Sequence, residues 1–203
     1  MAASPLPRLF LARHGDTAWT DSHQKTGRTD VPLNERGEER ARQIGVHLSR
    51  FSFSHVFTSP LERASRTCEL AGFGARAEVD PDLLEWDYGR FEGKRTGEIL
   101  ELQPGWELFR DGCPEGELPG DVAGRADRFI ARVHKLAGDV LAFSSGHISR
   151  MIAARWLGLP PAAGRIFYCD PASVGMLGFE HSRLDEPIIE LWNYVRHAQS
   201  EAK

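Results

Sequence analysis

Short apolar runs alternate along this chain with longer stretches whose apolar residues recur every three or four positions. "RLFLAR" is apolar almost throughout, the pattern of a strand covered on both faces. "NERGEERARQIGVHLSR" is mostly polar, with Ala41, Ile44 and Leu48 on one stripe, and predicts a helix capped by Asn34. "HVFTS" is a second strand. Ser59, Pro60 and Glu62 then read as a capping box with proline in the first turn, predicting a helix through "PLERASRTCELA" to Gly72. "ARAEVDPDLLE" is a weaker strand interrupted by Pro81. Val122, Ala126, Phe129, Ile130, Val133 and Leu136 recur at helical spacing, with Gly138 as the stop. "DVLAFSS" is a further buried strand and "HISRMIAARWLG" a helix. "SVGMLGFEH" and "PIIELWN" are late strand candidates.

Strand and helix units in this order predict an α/β fold: three layers, doubly wound, with a mostly parallel sheet and helices on both faces. No internal repeat or low-complexity tract divides the 203 residues, which read as a single domain over 1–203. Between about 88 and 120 the chain is rich in Gly, Pro and aromatics, with two short helical candidates, "TGEILEL" and "GWELFR". This segment is expected to be a small lid-like insertion over the site. Ligands of such sheets bind at the carboxyl ends of the strands. "ARHG" and "SSGH" both fall at such ends and are expected to share a crevice.

Composition narrows the function classes. The 25 Lys+Arg against 29 Asp+Glu give a formal charge of -4, and no basic-aromatic stripe is present. Neither nucleic acid nor an anionic membrane is an expected partner. The apolar stretch near the N-terminus is too short for a signal or membrane segment. Cys68, Cys113 and Cys169 form no CxxC pair, so a reducing, cytoplasmic setting is expected. The sequence leaves the oligomeric state open.

Individual residues suggest chemistry. His14 follows a buried strand beside Arg13 and before Gly15. Arg63 is predicted in the first turn of a helix, where the dipole disfavours a cation unless an anion is also bound. Glu85 in "LLEWDYG" stands among apolar residues at an expected strand end, where burial would raise its pKa and let it donate a proton. No HExxH and no Cys/His ligand spacing is present, so no metal and no other cofactor is expected.

"RHGDTAW", "TGRTDVPLNERG", "TSPLERASRTCELA", "LLEWDYGRFEG" and "GHISR" follow one another in an order that resembles the histidine phosphatase superfamily, which includes the cofactor-dependent phosphoglycerate mutases. The resemblance spans nearly the whole chain. It implies His14 as the nucleophile that becomes phosphorylated, Arg13 and Arg63 as the groups gripping the phosphoryl oxygens, and Glu85 as the acid that protonates the leaving oxygen and then activates water. It also marks a departure. The family's second histidine directly precedes the glycine of this turn, here Gly146, and Ser145 stands in its place, with His147 two residues on. Ser145, Gly146 and His147 are expected at the phosphoryl group, with the Ser145 hydroxyl or the backbone amides at the helix start as donors.

"EWDYGRFEG", "WELFRDGCPEGE", "GHISR" and a late "LDEP" are similar to the branch holding sedoheptulose bisphosphatases and bacterial acid phosphatases. The expected activity is a phosphomonoesterase acting on a small phosphate ester, a sugar phosphate or bisphosphate, through a phosphohistidine. A phosphoglycerate mutase and a weakly active or non-catalytic phosphate binder are the alternatives. Thr20, Thr26, Gly27 and Tyr88 are candidate substrate contacts, Thr20 standing where many relatives have asparagine. Trp19, Lys25, Trp86 and Lys94 are further candidates for the leaving-group pocket.

Overall fold

The structure, a computed structural model, describes residues 6–195. Among these, six strands form one sheet: β1 (Leu9–Arg13), β2 (Phe53–Thr58), β3 (Glu78–Val79), β4 (Asp139–Ser144), β5 (Val174–Phe179) and β6 (Pro187–Tyr194). Their spatial order is β3-β2-β4-β1-β5-β6. The first four are mutually parallel, and β5 and β6 are antiparallel to their neighbours. The expected mostly parallel α/β sheet is thus present.

Alternation along the central strands explains the layers. Leu9 and Leu11 of β1, with Val140 and Ala142 of β4, face one core; Phe10 and Ala12, with Leu141 and Phe143, face the other. The first core is covered by α6 (Pro119–Val133) and α7 (Gly146–Trp156), the second by α2 (Glu35–Leu48) and α3 (Glu62–Leu70). The remaining helices, α1 (Ala18–Asp21), α4 (Thr96–Leu102) and α5 (Leu108–Asp111), are short.

Asn34 caps α2 as predicted, its side chain accepting from the Gly37 amide at 2.8 Å. The Ser59 capping box does not form. Leu61 occupies the cap of α3 and contributes no side-chain bond, while Ser59 Oγ accepts only a long bond, 3.4 Å, from the Leu61 amide. Asp30 instead receives the Glu62 amide at 2.9 Å, so the orphan donor is satisfied across the fold. The weak strand shrinks to Glu78–Val79. A 3-10 turn at Pro81–Leu83 follows, and Glu85 lies in irregular chain rather than at a strand end.

The 88–120 segment is built into the core. Phe91, Ile99, Trp106, Leu108, Phe109 and Cys113 are all buried with the residues of α6 and α7, so the segment forms a packed wall.

Candidate active site

The parallel pairing of β1 and β4 sets Arg13 opposite Ser144, which brings the two sequence motifs side by side. The His14 amide donates to the Ser144 carbonyl at 2.9 Å, and the His14 carbonyl accepts from Ala172 at 2.9 Å. Both backbone groups of His14 are therefore fixed by the sheet edge. Gly15 is required here because a Cβ would overlap the carbonyl of Gly37, so this loop rests directly on the backbone of α2.

The His14 ring is 3% exposed and its Nδ1–H donates to the Gly15 carbonyl at 2.7 Å. A carbonyl only accepts, so this bond selects the tautomer with a free lone pair on Nε2. Burial, then the charges of Arg63 and Arg13, hold the imidazole pKa well below its ordinary value. The ring is neutral, with the Nε2 lone pair free.

Arg63 is fully buried. Its Nη1 donates to the Thr29 carbonyl at 2.9 Å, and its Nη2 to those of Gly27 and Thr26 at 2.8 and 3.2 Å. The "KTGRTD" loop is thereby folded around it. Arg13 Nη1 donates to the Cys169 carbonyl. The Nε atoms of both arginines are buried without a partner.

Glu85 departs from expectation in charge. Burial does push its carboxyl up, but the backbone amides that donate to it hold the ionised form, and the pKa falls below the usual carboxylate range. Oε1 accepts from the amides of Trp86 and Ile148, and Oε2 from that of His147, each at 2.9 Å. Two of those amides belong to the first turn of α7, whose orphan donors Glu85 satisfies. The resting group is a carboxylate.

These side chains open onto a cavity of about 740 Å³. Arg13, His14, Thr20, Thr26, Glu85, Tyr88, Gly146 and His147 line it, as do Trp19 and Lys25. The other sequence candidates do not. Gly27 is enclosed by Trp86, Glu92 and Tyr88, and serves through its carbonyl on Arg63. Arg63 is fully buried and acts on His14 by charge. Trp86 is a core residue, edge-on to Phe109 with its indole N–H on the Glu117 carbonyl at 2.9 Å. The side chain of Lys94 is likewise absent from the lining, while its carbonyl anchors the Lys25 amide.

Ser145 is the principal correction. It is fully buried as the cap residue of α7, its hydroxyl has no partner, and it does not line the cavity. A serine is too short to reach past the backbone where a longer ring would project. His147 does not fill the gap either. Its Nδ1 lies 2.6 Å from the Tyr88 hydroxyl and 3.7 Å from Glu85 Oε2. Burial first of all pushes its pKa down to about 4.

Sequence reading missed Asp16, Arg36 and Arg40. Asp16 is 3% exposed and receives Arg36 at 2.8 Å and Arg40 at 3.0 Å, all three on the cavity wall. The available signal was the i, i+4 spacing of the two arginines on α2. Arg150, the last residue of "GHISR", also lines the cavity, as do Tyr168, Cys169 and Asp170, which carried no motif that set them apart.

A buried neutral imidazole between two guanidinium groups, at the carboxyl edge of a parallel sheet, defines a phosphatase of the α/β class. The chain belongs to the histidine phosphatase superfamily (branch 1), whose family model matches residues 9–202. It is 42% identical over 178 residues to an acid phosphatase of Mycobacterium tuberculosis, covering 86% of this chain and 87% of that one. It is 31% identical over 249 residues to the sedoheptulose 1,7-bisphosphatase of Saccharomyces cerevisiae, covering 91% and 92%. A solved structure of a Mycobacterium tuberculosis open reading frame product superposes with a TM-score of 0.88 at 38% identity, covering 94% of this chain and 98% of that one. Among the described residues no helix is long and apolar enough to cross a membrane, and all three cysteines are free and buried.

Proposed function

We propose that the protein is a phosphomonoesterase that hydrolyses small phosphorylated metabolites, sugar phosphates or bisphosphates, through a phosphohistidine at His14. The observation that carries this reading is the Nε2 lone pair of His14, left free by the Nδ1–Gly15 bond and kept unprotonated by burial and by Arg63 and Arg13.

In the first step Nε2 attacks phosphorus, the P–N bond forms and the P–O bond to the leaving group breaks. Arg13, with the buried charge of Arg63, offsets the charge on the transferring phosphoryl group. The leaving oxygen takes a proton from Glu85. Because Glu85 rests ionised, it takes up that proton as the substrate's negative charge enters beside it and raises its pKa. In the second step Glu85 accepts a proton from water, the oxygen attacks phosphorus, and the P–N bond breaks to release inorganic phosphate. Thr20, Thr26 and Tyr88 face the leaving group across the cavity.

The buried, unpartnered Ser145 favours a slow member of the family, since one preorganised donor to the transition state is missing. Such a loss typically costs about 10²–10³ in rate. A panel of sugar phosphates and bisphosphates, assayed for free phosphate with and without EDTA, tests the function. Release of phosphate, undiminished by EDTA, is expected. An isomerised phosphate ester as the product would overturn it in favour of a mutase, and no turnover of any ester in favour of a binding protein.

A further inference from the structure

Glu85 has no strand to hold it, since β3 ends at Val79 and residues 84–88 form irregular chain. The backbone carbonyls before it are nevertheless engaged one after another. Arg125 of α6 donates from Nη1 to those of Asp82 at 2.9 Å and Leu84 at 2.8 Å, and from Nη2 to that of Glu85 at 3.4 Å. The carbonyl of Leu83, between them, accepts from Ser144 Oγ at 2.7 Å.

Glu117, from the 88–120 segment, holds the same guanidinium from its other side. Its Oε1 accepts from Arg125 Nε at 2.7 Å and its Oε2 from Arg125 Nη2 at 2.8 Å, so all five N–H groups of the arginine have acceptors. Oε2 also receives the Asp87 amide at 2.9 Å and, at 3.4 Å, Arg28 Nη2 from the "KTGRTD" loop folded around Arg63. The Glu117 amide in turn donates to the Asp87 carbonyl at 3.0 Å. The chain is therefore gripped on both sides of Glu85, by Arg125 before it and by Glu117 after it. Both side chains are mostly buried, and neither lines the cavity.

Burying an ion pair is a poor route to stability, because two apolar side chains of similar volume often serve as well or better. What this pair does that apolar residues could not is bind one short stretch of backbone at several points. We propose that Arg125 and Glu117 are positioning residues that fix the carboxylate of Glu85 against the first turn of α7 and at the leaving-group oxygen. The proposal rests on the acid role of Glu85 in the phosphatase reading and extends it to the pair that orients it. Without the pair, the 82–87 backbone can shift and carry the carboxylate off the amides of His147 and Ile148. A displacement of about 1 Å at a reacting group costs on the order of 10² in rate.

The test uses the double variant Arg125→Met with Glu117→Leu, in which no unpaired charge stays buried, together with Arg125→Lys and Glu85→Gln, all checked for folding by circular dichroism. The substrates are p-nitrophenyl phosphate and phenyl phosphate, which differ in leaving-group acidity and little in shape. The double variant should keep kcat/KM for p-nitrophenyl phosphate within about tenfold of wild type and lose about 10²-fold on phenyl phosphate, the selectivity of a missing acid. Arg125→Lys, with three donors in place of five, should fall between. Added to Glu85→Gln, the double change should alter selectivity by less than about threefold, because both act through one group. Hydrogen exchange supplies a readout apart from turnover: the His147 and Ile148 amides should exchange at least about tenfold faster in the double variant, the worth of a bond to a charged acceptor, with the Leu141 amide of β4 unchanged. Wild-type selectivity, equal losses on the two esters, or unchanged exchange of the two amides would each overturn the positioning role. If the double variant does not fold, Arg125→Lys is read by the same measurements. If the wild type turns over neither ester, the phosphatase reading fails by itself, and amide exchange alone decides whether the pair holds Glu85.

Discussion

The Tyr88 hydroxyl stands 2.6 Å from Nδ1 of His147 and fixes the ring of the one histidine in the α7 turn. Tyr88 is 1% exposed and its pKa is raised, by burial above all, so it keeps its proton and donates it to Nδ1. The same residue, His147, donates its amide to Glu85. Tyrosine, histidine and glutamate are thus linked across the cavity through backbone and ring.

Tyr88→Phe should leave Nδ1 buried without a donor and destabilise the protein by about 1–3 kcal/mol. A bond donated to the neutral ring disfavours its charged form, so its removal should raise the His147 pKa from about 4. Urea denaturation and an NMR titration of the imidazole measure the two effects. An unshifted titration would show that the hydroxyl does not hold the ring.

Glu85→Gln should destabilise by about 1.5–3 kcal/mol at neutral pH, because a side-chain amide would turn N–H groups toward at least one of the backbone donors it now accepts. The folded-state pKa of Glu85 lies below its unfolded value of about 4.3. Its contribution is therefore complete above that value and declines as the pH falls toward the folded-state pKa. The stability gap between wild type and variant should narrow below about pH 4. Turnover should fall far more for poor leaving groups than for activated aryl phosphates; equal losses would remove Glu85 from the acid role.

His14→Ala should abolish turnover, and brief exposure of the wild type to labelled substrate should place the phosphoryl group on His14. Since the pKa of this ring is well below its ordinary value, the nucleophile stays unprotonated into the acid range. Hydrolysis of an activated aryl phosphate should accordingly persist at pH 5 without the decline an ordinary histidine would give. Label on another residue would contradict the assignment.

Ser145→Ala removes a hydroxyl with no partner and should leave stability within about 0.5 kcal/mol of wild type or raise it, with less than tenfold loss of rate. Ser145→His should place a donor at the cavity and raise kcat by up to about 10²–10³. A folded Ser145→His protein with an unchanged or lower rate would show that this position no longer addresses the phosphoryl group.

The hydrophobic pattern alone determined the central strands, the long helices and the meeting of His14 with the "SSGH" turn. Residues buried on both faces of a parallel sheet must be apolar throughout, and strand ends must carry the loops, so "RLFLAR" and "DVLAFSS" had little freedom to be read otherwise. The neutrality of His14 was only partly local: adjacent Arg13 contributes, but burial and the charge of distant Arg63 weigh more. Other features were decided only by the tertiary structure. The charge of Glu85 depends on amides some sixty positions away, at the start of α7. The absence of the Ser59 cap reflects a remote carboxylate, Asp30, that takes the amide of Glu62. The engagement of Asp16 by Arg36 and Arg40 follows from which side chains the folded chain brings within a few ångströms. Local patterning acts through the nearest turns of backbone, whereas pKa values and ion pairs are set by desolvation and by charges that only folding brings together.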